Sequence, residues 1–311
     1  MPTRAARLFL PFGGGHKHAA ELRGQTGVHA ATQDKKKGKK MKLTRHQTLT
    51  GPRWAADAHW LVDTFDLRSL LEMPGKELDA YIRKLSTPEP AGGSLLAPIE
   101  ASQEVWASGV TYQRSREARR AESDMGDVYD RVYAAERPEL FFKSTGWRVI
   151  AHQETLRFRS DSTWNVPEPE MTLVINRHAE IVGYTAGNDM SSRSIEGENP
   201  LYLPQAKVYN ASCALGPAIQ ILGVDRLADL PIEIVIERAG RPVFQGSTRT
   251  SNMNRKLQEL VDYLYRELSF PQGAFLLTGT GVVPPEKFTL TEGDNVNITV
   301  GELTLSNPIG A

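Results

Sequence analysis

The sequence predicts a β-rich α+β fold with a mixed or antiparallel sheet and a small N-terminal domain. From Met171 onward, apolar runs of strand length follow one another with few helices between them. Strands that do not alternate with helices favour such an architecture over a doubly wound parallel sheet. No Gly-x-Gly-x-x-Gly follows a predicted strand and no phosphate loop is found, so we expect no nucleotide cofactor.

The composition is typical of a globular protein. The chain has 311 residues, of which 40% are hydrophobic and 24% are charged. No apolar run reaches the ~18 residues of a membrane-spanning helix, so we expect no membrane segment. The single cysteine, Cys213, excludes a disulfide framework and permits a reducing compartment. Its neighbours Ala211, Ala214 and Leu215 indicate a small core residue, and we expect a cytoplasmic protein.

Residues 1–44 are predicted to be a basic, disordered extension. The first 45 residues contain eleven Lys and Arg but only two acidic residues, although the net charge of the whole chain is zero. The remainder is therefore acidic, which argues against a body that binds nucleic acid. A targeting peptide is one interpretation of the extension. We favour another, in which Met41 is the true start.

Residues 45–95 are predicted to form the small N-terminal domain. Residues 54–88 are expected to be helical, because Leu78, Tyr81, Ile82 and Leu85 form one apolar face of a helix that starts at Pro74. Residues 86–98 have the composition of a linker. The main domain is therefore predicted to span residues 96–311.

The main domain begins with a predicted strand over 104–110 that ends in a turn at Gly109. Residues 112–136 are highly charged and predict either a solvated helix or a lid that contributes an arginine to an anionic substrate. The clearest helix is predicted over 251–268, from its apolar stripe. The predicted strands lie at 172–175, 181–185, 231–237, 242–246, 274–278, 296–300 and 302–306.

Three carboxylates around the first hairpin are candidates for a metal site. Glu168 and Glu170 are two residues apart, so an extended strand places both side chains on one face. Asp189 ends the next apolar run, and a hairpin would return it to them. Three carboxylates form an all-oxygen site suited to Mg²⁺, Mn²⁺ or Ca²⁺. A solvated acidic edge strand is the simpler interpretation of the Glu-x-Glu pair alone.

Several motifs, taken in their order along the chain, resemble the fumarylacetoacetate hydrolase superfamily over roughly residues 98–306. These motifs are Pro167–Glu170, Gly183-Tyr184, Asn188–Arg193, Gln205–Lys207, Leu215–Pro217 and Thr278–Gly281. Within that family, the stretch 196–207 and the segments Arg137–Glu139 and Ser160–Trp164 are similar to 2-keto-3-deoxy sugar acid dehydratases. The resemblance implies a mixed β-roll core, a divalent metal, usually Mg²⁺, an α-keto acid substrate and a homodimer or homotetramer.

The resemblance also implies roles for individual side chains. Metal ligation is assigned to Glu168, Glu170 and Asp189. Lys207 matches the active-site lysine and would stabilise negative charge or relay a proton, and Glu139 is the candidate acid or base. An ion pair with Arg137 or Lys143 is the structural alternative for Glu139. Tyr112, Arg193 and Thr280 are expected to hold the substrate.

One departure from the family pattern decides between two reactions. Hydrolases of the family carry a histidine shortly after the turn at Gly109, whereas the corresponding position here is Ser115 and residues 101–140 contain no histidine. Hydrolysis of a C–C bond needs a base that activates water. The sequence therefore favours dehydration of a 2-keto-3-deoxy sugar acid to a 2-oxo acid semialdehyde. A C–C hydrolase, a keto-enol isomerase or decarboxylase, and a non-catalytic binding protein are the alternatives.

Overall fold

The computed structural model describes residues 40–122 and 126–310. These residues form one compact unit of strands and short helices. The strands are β1 Met41–Thr48, β2 Gly51–Ala56, β3 His59–Leu61, β4 Ser86–Pro90, β5 Leu95–Leu96, β6 Glu104–Gly109, β7 Glu139–Thr145, β8 Leu156–Arg157, β9 Asn165–Val166, β10 Pro169–Ile175, β11 Ile181–Asp189, β12 Ser191–Ser192, β13 Cys213–Ile221, β14 Pro231–Arg238, β15 Arg241–Arg249, β16 Ala274–Leu277, β17 Asn295–Val300 and β18 Leu303–Gly310. The helices are α1 Leu67–Leu71, α2 Leu78–Leu85, α3 Gln113–Glu122, α4 Gly126–Ala134, α5 Arg193–Glu198, α6 Leu203–Lys207 and α7 Leu257–Leu264.

One eleven-stranded sheet organises the fold. Its order is β4-β3-β2-β1-β13-β11-β10-β16-β6-β7, with β5 paired to β1. The β16–β6 pair is parallel and the other pairs of this sheet are antiparallel. A five-stranded sheet has the order β15-β14-β17-β18-β8, and β9 pairs with β12. The predicted mixed, β-rich α+β fold is therefore confirmed.

Strand β10 lies at the centre of the large sheet and is buried on both faces. Met171 and Leu173 point into the core that the second sheet closes with Ile234 of β14. Val174 points the opposite way, into a core shared with Leu70 of α1 and with α2. Successive side chains of a strand point to opposite faces, so β10 contributes residues to both cores. This burial leaves the residues at the N-terminal end of β10 inside the protein.

The N-terminal segment is only partly helical, in contrast to the helix predicted over 54–88. Residues 54–61 form the hairpin β2–β3 instead of a helix, whereas the helix at Leu78–Leu85 is confirmed. The turn residues Asp57 and Ala58 both have positive φ, 47° and 65°, as a tight two-residue hairpin requires. Because Asp-Ala lacks the glycine that usually marks such a turn, the sequence pattern did not reveal it.

The expected linker at 86–98 contains two edge elements, β4 and β5. Prolines are tolerated in β4 because it is the outermost strand of its sheet. Residues 41–44, assigned to the extension from sequence, belong to β1, and residues 1–39 lie outside the described part. Strands β1–β4 belong to the same large sheet as strands of the main domain. The division into a small domain over 45–95 and a main domain over 96–311 stays a prediction.

The helix predicted over 251–268 is shorter than expected, because only Leu257–Leu264 is α-helical. Thr250–Asn252 forms a 3₁₀ turn, and Met253 pairs with Tyr112 as an isolated antiparallel bridge. Across residues 40–122 and 126–310, no helix is long and apolar enough to cross a membrane.

Candidate active site

The pairing of β10 with β11 brings the three predicted carboxylates together. Glu170 lies opposite Gly187, and the Asp189 amide donates to the Glu168 carbonyl oxygen at 3.1 Å. Residues directly opposed in antiparallel strands share a face. One oxygen from each of Glu168, Glu170 and Asp189 lies within 4.8 Å of the other two. All three side chains are buried, so the alternative of a solvated edge strand is wrong.

Two cations predicted from sequence contact this carboxylate cluster, which we define as Glu168, Glu170 and Asp189. The Lys207 ammonium, at the end of α6, lies 2.8 Å from Glu168 Oε2 and 3.1 Å from Asp189 Oδ2. It also donates to Ser191 Oγ at 2.6 Å. Arg193 Nη2, at the start of α5, lies 2.7 Å from Glu168 Oε1. These contacts offset part of the repulsion between the buried carboxylates.

Glu170 has a different partner, the backbone of the Thr278–Gly281 turn. The Gly279 amide donates to Glu170 Oε2 at 2.6 Å. Gly279 has φ of +89°, and a Cβ at this position would lie 2.1 Å from Thr111 Oγ1. Glycine is therefore required for this close approach. Thr280 is buried beside it, and its hydroxyl donates to the Val282 carbonyl at 3.0 Å.

The charge environment of Glu170 fits a divalent cation. Burial raises the pKa of Glu170 well above its ordinary value, and the charges of Asp189 and Glu168 raise it further. The charge of Lys207 and the Gly279 amide lower this pKa but do not cancel the effect of burial and of the two carboxylates. Three buried carboxylates supply the hard oxygen ligands that Mg²⁺, Mn²⁺ and Ca²⁺ prefer. The cluster therefore fits such an ion by both its donor atoms and its charge.

Lys143 is a central residue that was not predicted to belong to the site. Its side chain, on β7, is fully buried, and its ammonium lies 2.5 Å from Asp189 Oδ1. It also donates to the carbonyl oxygens of Met190 at 3.0 Å and Lys207 at 2.5 Å. The ammonium thus makes one ion pair and two hydrogen bonds. Lys143 therefore joins a carboxylate of the cluster to the helix end that carries Lys207.

Glu139 lies at the start of β7, opposite Gly109 of β6. A Cβ on Gly109 would lie 2.0 Å from Glu139 Oε2, so the carboxylate folds directly over the glycine. Glu139 lines a small cavity together with Lys207, Glu168 and Asp189. The structure thus brings the candidate acid or base into the same space as the carboxylate cluster.

Thr280, Ser115 and Glu196 also line this cavity. The Ser115 hydroxyl is bound to the backbone of Tyr112, donating to its carbonyl at 2.8 Å and accepting from its amide at 3.2 Å. Sequence analysis did not identify Glu196, a buried carboxylate three residues after Arg193. The spacing of three on a helix was the available signal.

Tyr112 is placed differently from the other predicted residues. It lines a neighbouring, more open cavity of about 360 Å³ with Thr248 and Gly281. Burial raises the pKa of Tyr112, and the nearby charge of Glu170 raises it further. Its hydroxyl has no hydrogen-bond partner within the residues that the structure describes.

Cys213, His178 and His152 are potential nucleophiles or bases that do not line the cavity of Glu139. Cys213 is buried in the core, as predicted, and burial raises the pKa of its thiol to about 12. His178 is exposed in the β10–β11 turn. His152 Nδ1 accepts from the Ser306 amide at 3.0 Å, and partial burial lowers the pKa of the ring.

Comparison with known proteins finds clear relatives. The family model described as fumarylacetoacetate (FAA) hydrolase C-terminal matches residues 104–309. A protein of Haloferax volcanii named "Probable 2-keto-3-deoxyxylonate dehydratase" is 50% identical over 214 residues, which cover 68% of this chain and 73% of that protein. The 2-dehydro-3-deoxy-D-arabinonate dehydratase of Saccharolobus solfataricus is 42% identical over 213 residues, covering 66% and 71%.

Solved structures agree with the sequence relatives. A structure of 2-keto-3-deoxy-D-arabinonate dehydratase complexed with magnesium and 2,5-dioxopentanoate superposes with a TM-score of 0.66. The two sequences are 31% identical, and the superposition covers 87% of this chain and 98% of that chain. The expected fold is thereby matched over nearly the whole of that structure.

The Lys143→Met variant tests the electrostatics of the cluster. Methionine keeps the length of the side chain but leaves Asp189 buried without this cation, so we expect the free energy of unfolding to fall by about 3–5 kcal/mol. A divalent cation can replace the lost charge. We therefore expect Mg²⁺ to raise the melting temperature of the variant more than that of the wild type.

Thermal unfolding with and without Mg²⁺ measures this difference. Lys287→Met, which removes an exposed lysine, is the matched control. An equal or smaller Mg²⁺ effect in Lys143→Met than in the wild type would contradict the charge balance described above.

Proposed function

Because this chain belongs to the fumarylacetoacetate hydrolase family, we propose that it is a hydro-lyase that removes water from a 2-keto-3-deoxy sugar acid. 2-Keto-3-deoxy-D-arabinonate is a suitable substrate, and a 2-oxo acid semialdehyde is the product. The observation that carries the proposal is the cavity that holds Glu139 opposite the carboxylate cluster. The dehydratase relatives and the ligands named for the solved neighbour support the same reaction.

Glu168, Glu170 and Asp189 would hold the metal, most suitably Mg²⁺, with Mn²⁺ or Ca²⁺ as alternatives. When bound, a divalent cation acts as a Lewis acid that polarises a keto group and stabilises the negative charge formed beside it. The protein holds its three carboxylates ready through the pairing of β10 with β11 and through the Gly279 amide. Preorganised ligands of this kind need little rearrangement during reaction.

Glu139 is proposed to transfer the protons, and Lys207 to stabilise the negative charge that forms on the substrate. Elimination removes a proton from C3 and the hydroxyl group from C4 as water and forms a C3–C4 double bond. A proton then moves from C5 to C3, and the resulting enol at C4 and C5 tautomerises to the aldehyde of the product. The Glu139 carboxylate takes the C3 proton and its acid form protonates the departing hydroxyl. The Lys207 ammonium, which lies in the same cavity, stabilises the negative charge that develops on the keto oxygen.

Three further residues are proposed to hold the substrate. Thr280 lines the cavity, and Arg193 lies at its edge through its contact with Glu168. Tyr112 approaches from the neighbouring cavity with a buried hydroxyl. A guanidinium and two hydroxyl groups suit a carboxylate and a polyol chain, respectively.

A C–C hydrolase on the same scaffold is less well supported. Hydrolysis requires a base that activates water, and no histidine lines the cavity among residues 40–122 and 126–310. Ser115, which stands where the family's histidine is expected, has its hydroxyl bound to the Tyr112 backbone.

We also propose a homodimer or homotetramer that acts in the cytoplasm on a small 2-keto acid, without nucleic-acid or membrane partners. The oligomer follows from the family resemblance. The single buried thiol of Cys213 is compatible with a reducing compartment.

The proposal predicts the products formed from a substrate panel. The purified protein is incubated with Mg²⁺ and 2-keto-3-deoxypentonates, 2-keto-3-deoxyhexonates, fumarylpyruvate or acetylpyruvate. We expect a semialdehyde from a 2-keto-3-deoxy acid, detected by mass spectrometry, and no turnover by a folded Glu170→Gln variant. Pyruvate with a second carboxylic acid would instead show a hydrolase, and full activity of Glu170→Gln would exclude the metal assignment.

Gly109→Ala is predicted to displace the catalytic carboxylate without unfolding the protein. Its new Cβ would lie 2.0 Å from Glu139 Oε2, and a flexible glutamate can move away. A displacement of about 1 Å at a reacting group costs roughly 100-fold in rate. We expect kcat to fall by that order while Mg²⁺ affinity, measured by calorimetry, stays unchanged. Gly223→Ala, with open space at its Cβ, is the control, and wild-type kcat in Gly109→Ala would remove Glu139 from the mechanism.

A further inference from the structure

Arg255 makes an unusual set of contacts with the chain segment that precedes Glu139. Its guanidinium donates to the carbonyl oxygens of Val132 at 3.2 Å, Ala135 at 2.5 Å and Glu136 at 3.0 Å. It also donates to Glu259 Oε1 at 2.7 Å. Only 8% of the Arg255 side chain is exposed. The arginine therefore caps the C-terminal end of α4, where carbonyl groups lack partners within the helix.

Met253 and Asn254, which precede Arg255, bind the chain before α3 as well as the end of α4. The Asn254 amide donates to the Thr111 carbonyl at 2.8 Å, and Met253 forms an antiparallel bridge with Tyr112. The Asn254 side chain donates to the Tyr133 carbonyl at 3.1 Å. Residues 253–255 thus contact the chain just before α3 and at the end of α4.

Helix α7 adds contacts to the short link between α4 and β7. The Tyr263 hydroxyl donates to Glu136 Oε1 at 3.3 Å. The Arg137 guanidinium lies 5.4 Å from the centre of the Tyr263 ring. Pro138 is buried, and Glu139 follows directly as the first residue of β7. Only two residues, Arg137 and Pro138, separate Glu136, whose carbonyl Arg255 holds, from Glu139.

We propose that Arg255 is a positioning residue that sets the place of the Glu139 carboxylate in the cavity. The inference rests on the proposed function, since it assigns to Arg255 an effect on the acid or base of that reaction. Arg255 acts through the backbone, and among the described residues that line the cavity of Glu139 it is absent. Its removal should therefore impair proton transfer while metal binding remains intact.

The guanidinium group is well suited to this role because its planar set of five N–H donors can serve several acceptors at once. Four acceptors are served here, and three of them are backbone carbonyls. Glutamine cannot reproduce this pattern. Lysine keeps the charge and part of the hydrogen bonding, so it should restore activity in part.

The test compares Arg255→Gln and Arg255→Lys with Arg249→Gln in the full-length protein. Arg249 is the matched control because its guanidinium also chelates a carboxylate, that of Asp229, but with 49% of its side chain exposed. Calorimetric titration with Mg²⁺ counts the intact sites in each preparation. Turnover is then expressed per titrated site, which removes any contribution from unfolded protein.

For Arg255→Gln we expect kcat per Mg²⁺ site to fall roughly tenfold or more, with a smaller loss in Arg255→Lys. The Mg²⁺ dissociation constant should stay within about twofold of the wild type, as should all values for Arg249→Gln. An unchanged kcat per site in Arg255→Gln would overturn the inference, because a purely structural residue changes the number of sites alone. Absence of dehydratase activity in the wild type would instead refute the proposed function.

Discussion

The repulsion between three buried carboxylates is the constraint on which the site depends. Glu168, Glu170 and Asp189 converge at the centre of the large sheet, where little water can screen their charges. Such a group is stable only with positive charge and hydrogen-bond donors around it. The protein supplies Lys207, Arg193 and Lys143 from separate elements. The pKa of Glu170 is nevertheless raised, because burial and the charges of Asp189 and Glu168 outweigh the effect of Lys207.

This requirement links parts of the chain that are far apart in sequence. Lys143 ties the edge strand β7 to the end of β11 and to the last turn of α6. The same strand begins with Glu139, so the cation that balances the cluster also belongs to the element that carries the proposed acid or base. The ion pair of Lys143 thus helps to fix the strand that carries Glu139. Arg255 holds the end of α4, which precedes that strand.

The carboxylate cluster was predictable because its determinants are local. A period of two aligns Glu168 with Glu170, and one hairpin returns Asp189. Lys143 was not predictable as a partner of Asp189, because the contact spans 46 residues and depends on the order of strands in the sheet. The closeness of Glu139 to Gly109 depends on the register between β6 and β7 in the same way. The central strands were recognised from their apolar runs, whereas the Asp-Ala turn concealed the hairpin β2–β3.

Anomalous X-ray diffraction from crystals grown with Mn²⁺ would examine the central claim directly, since it locates the ion independently of turnover. The account predicts one strong peak coordinated by oxygens of Glu168, Glu170 and Asp189, with Lys143 still paired to Asp189. It also predicts that the Glu139 carboxylate faces the ion across the cavity. A peak elsewhere in the protein, or none with Mn²⁺ present at saturating concentration, would contradict the account.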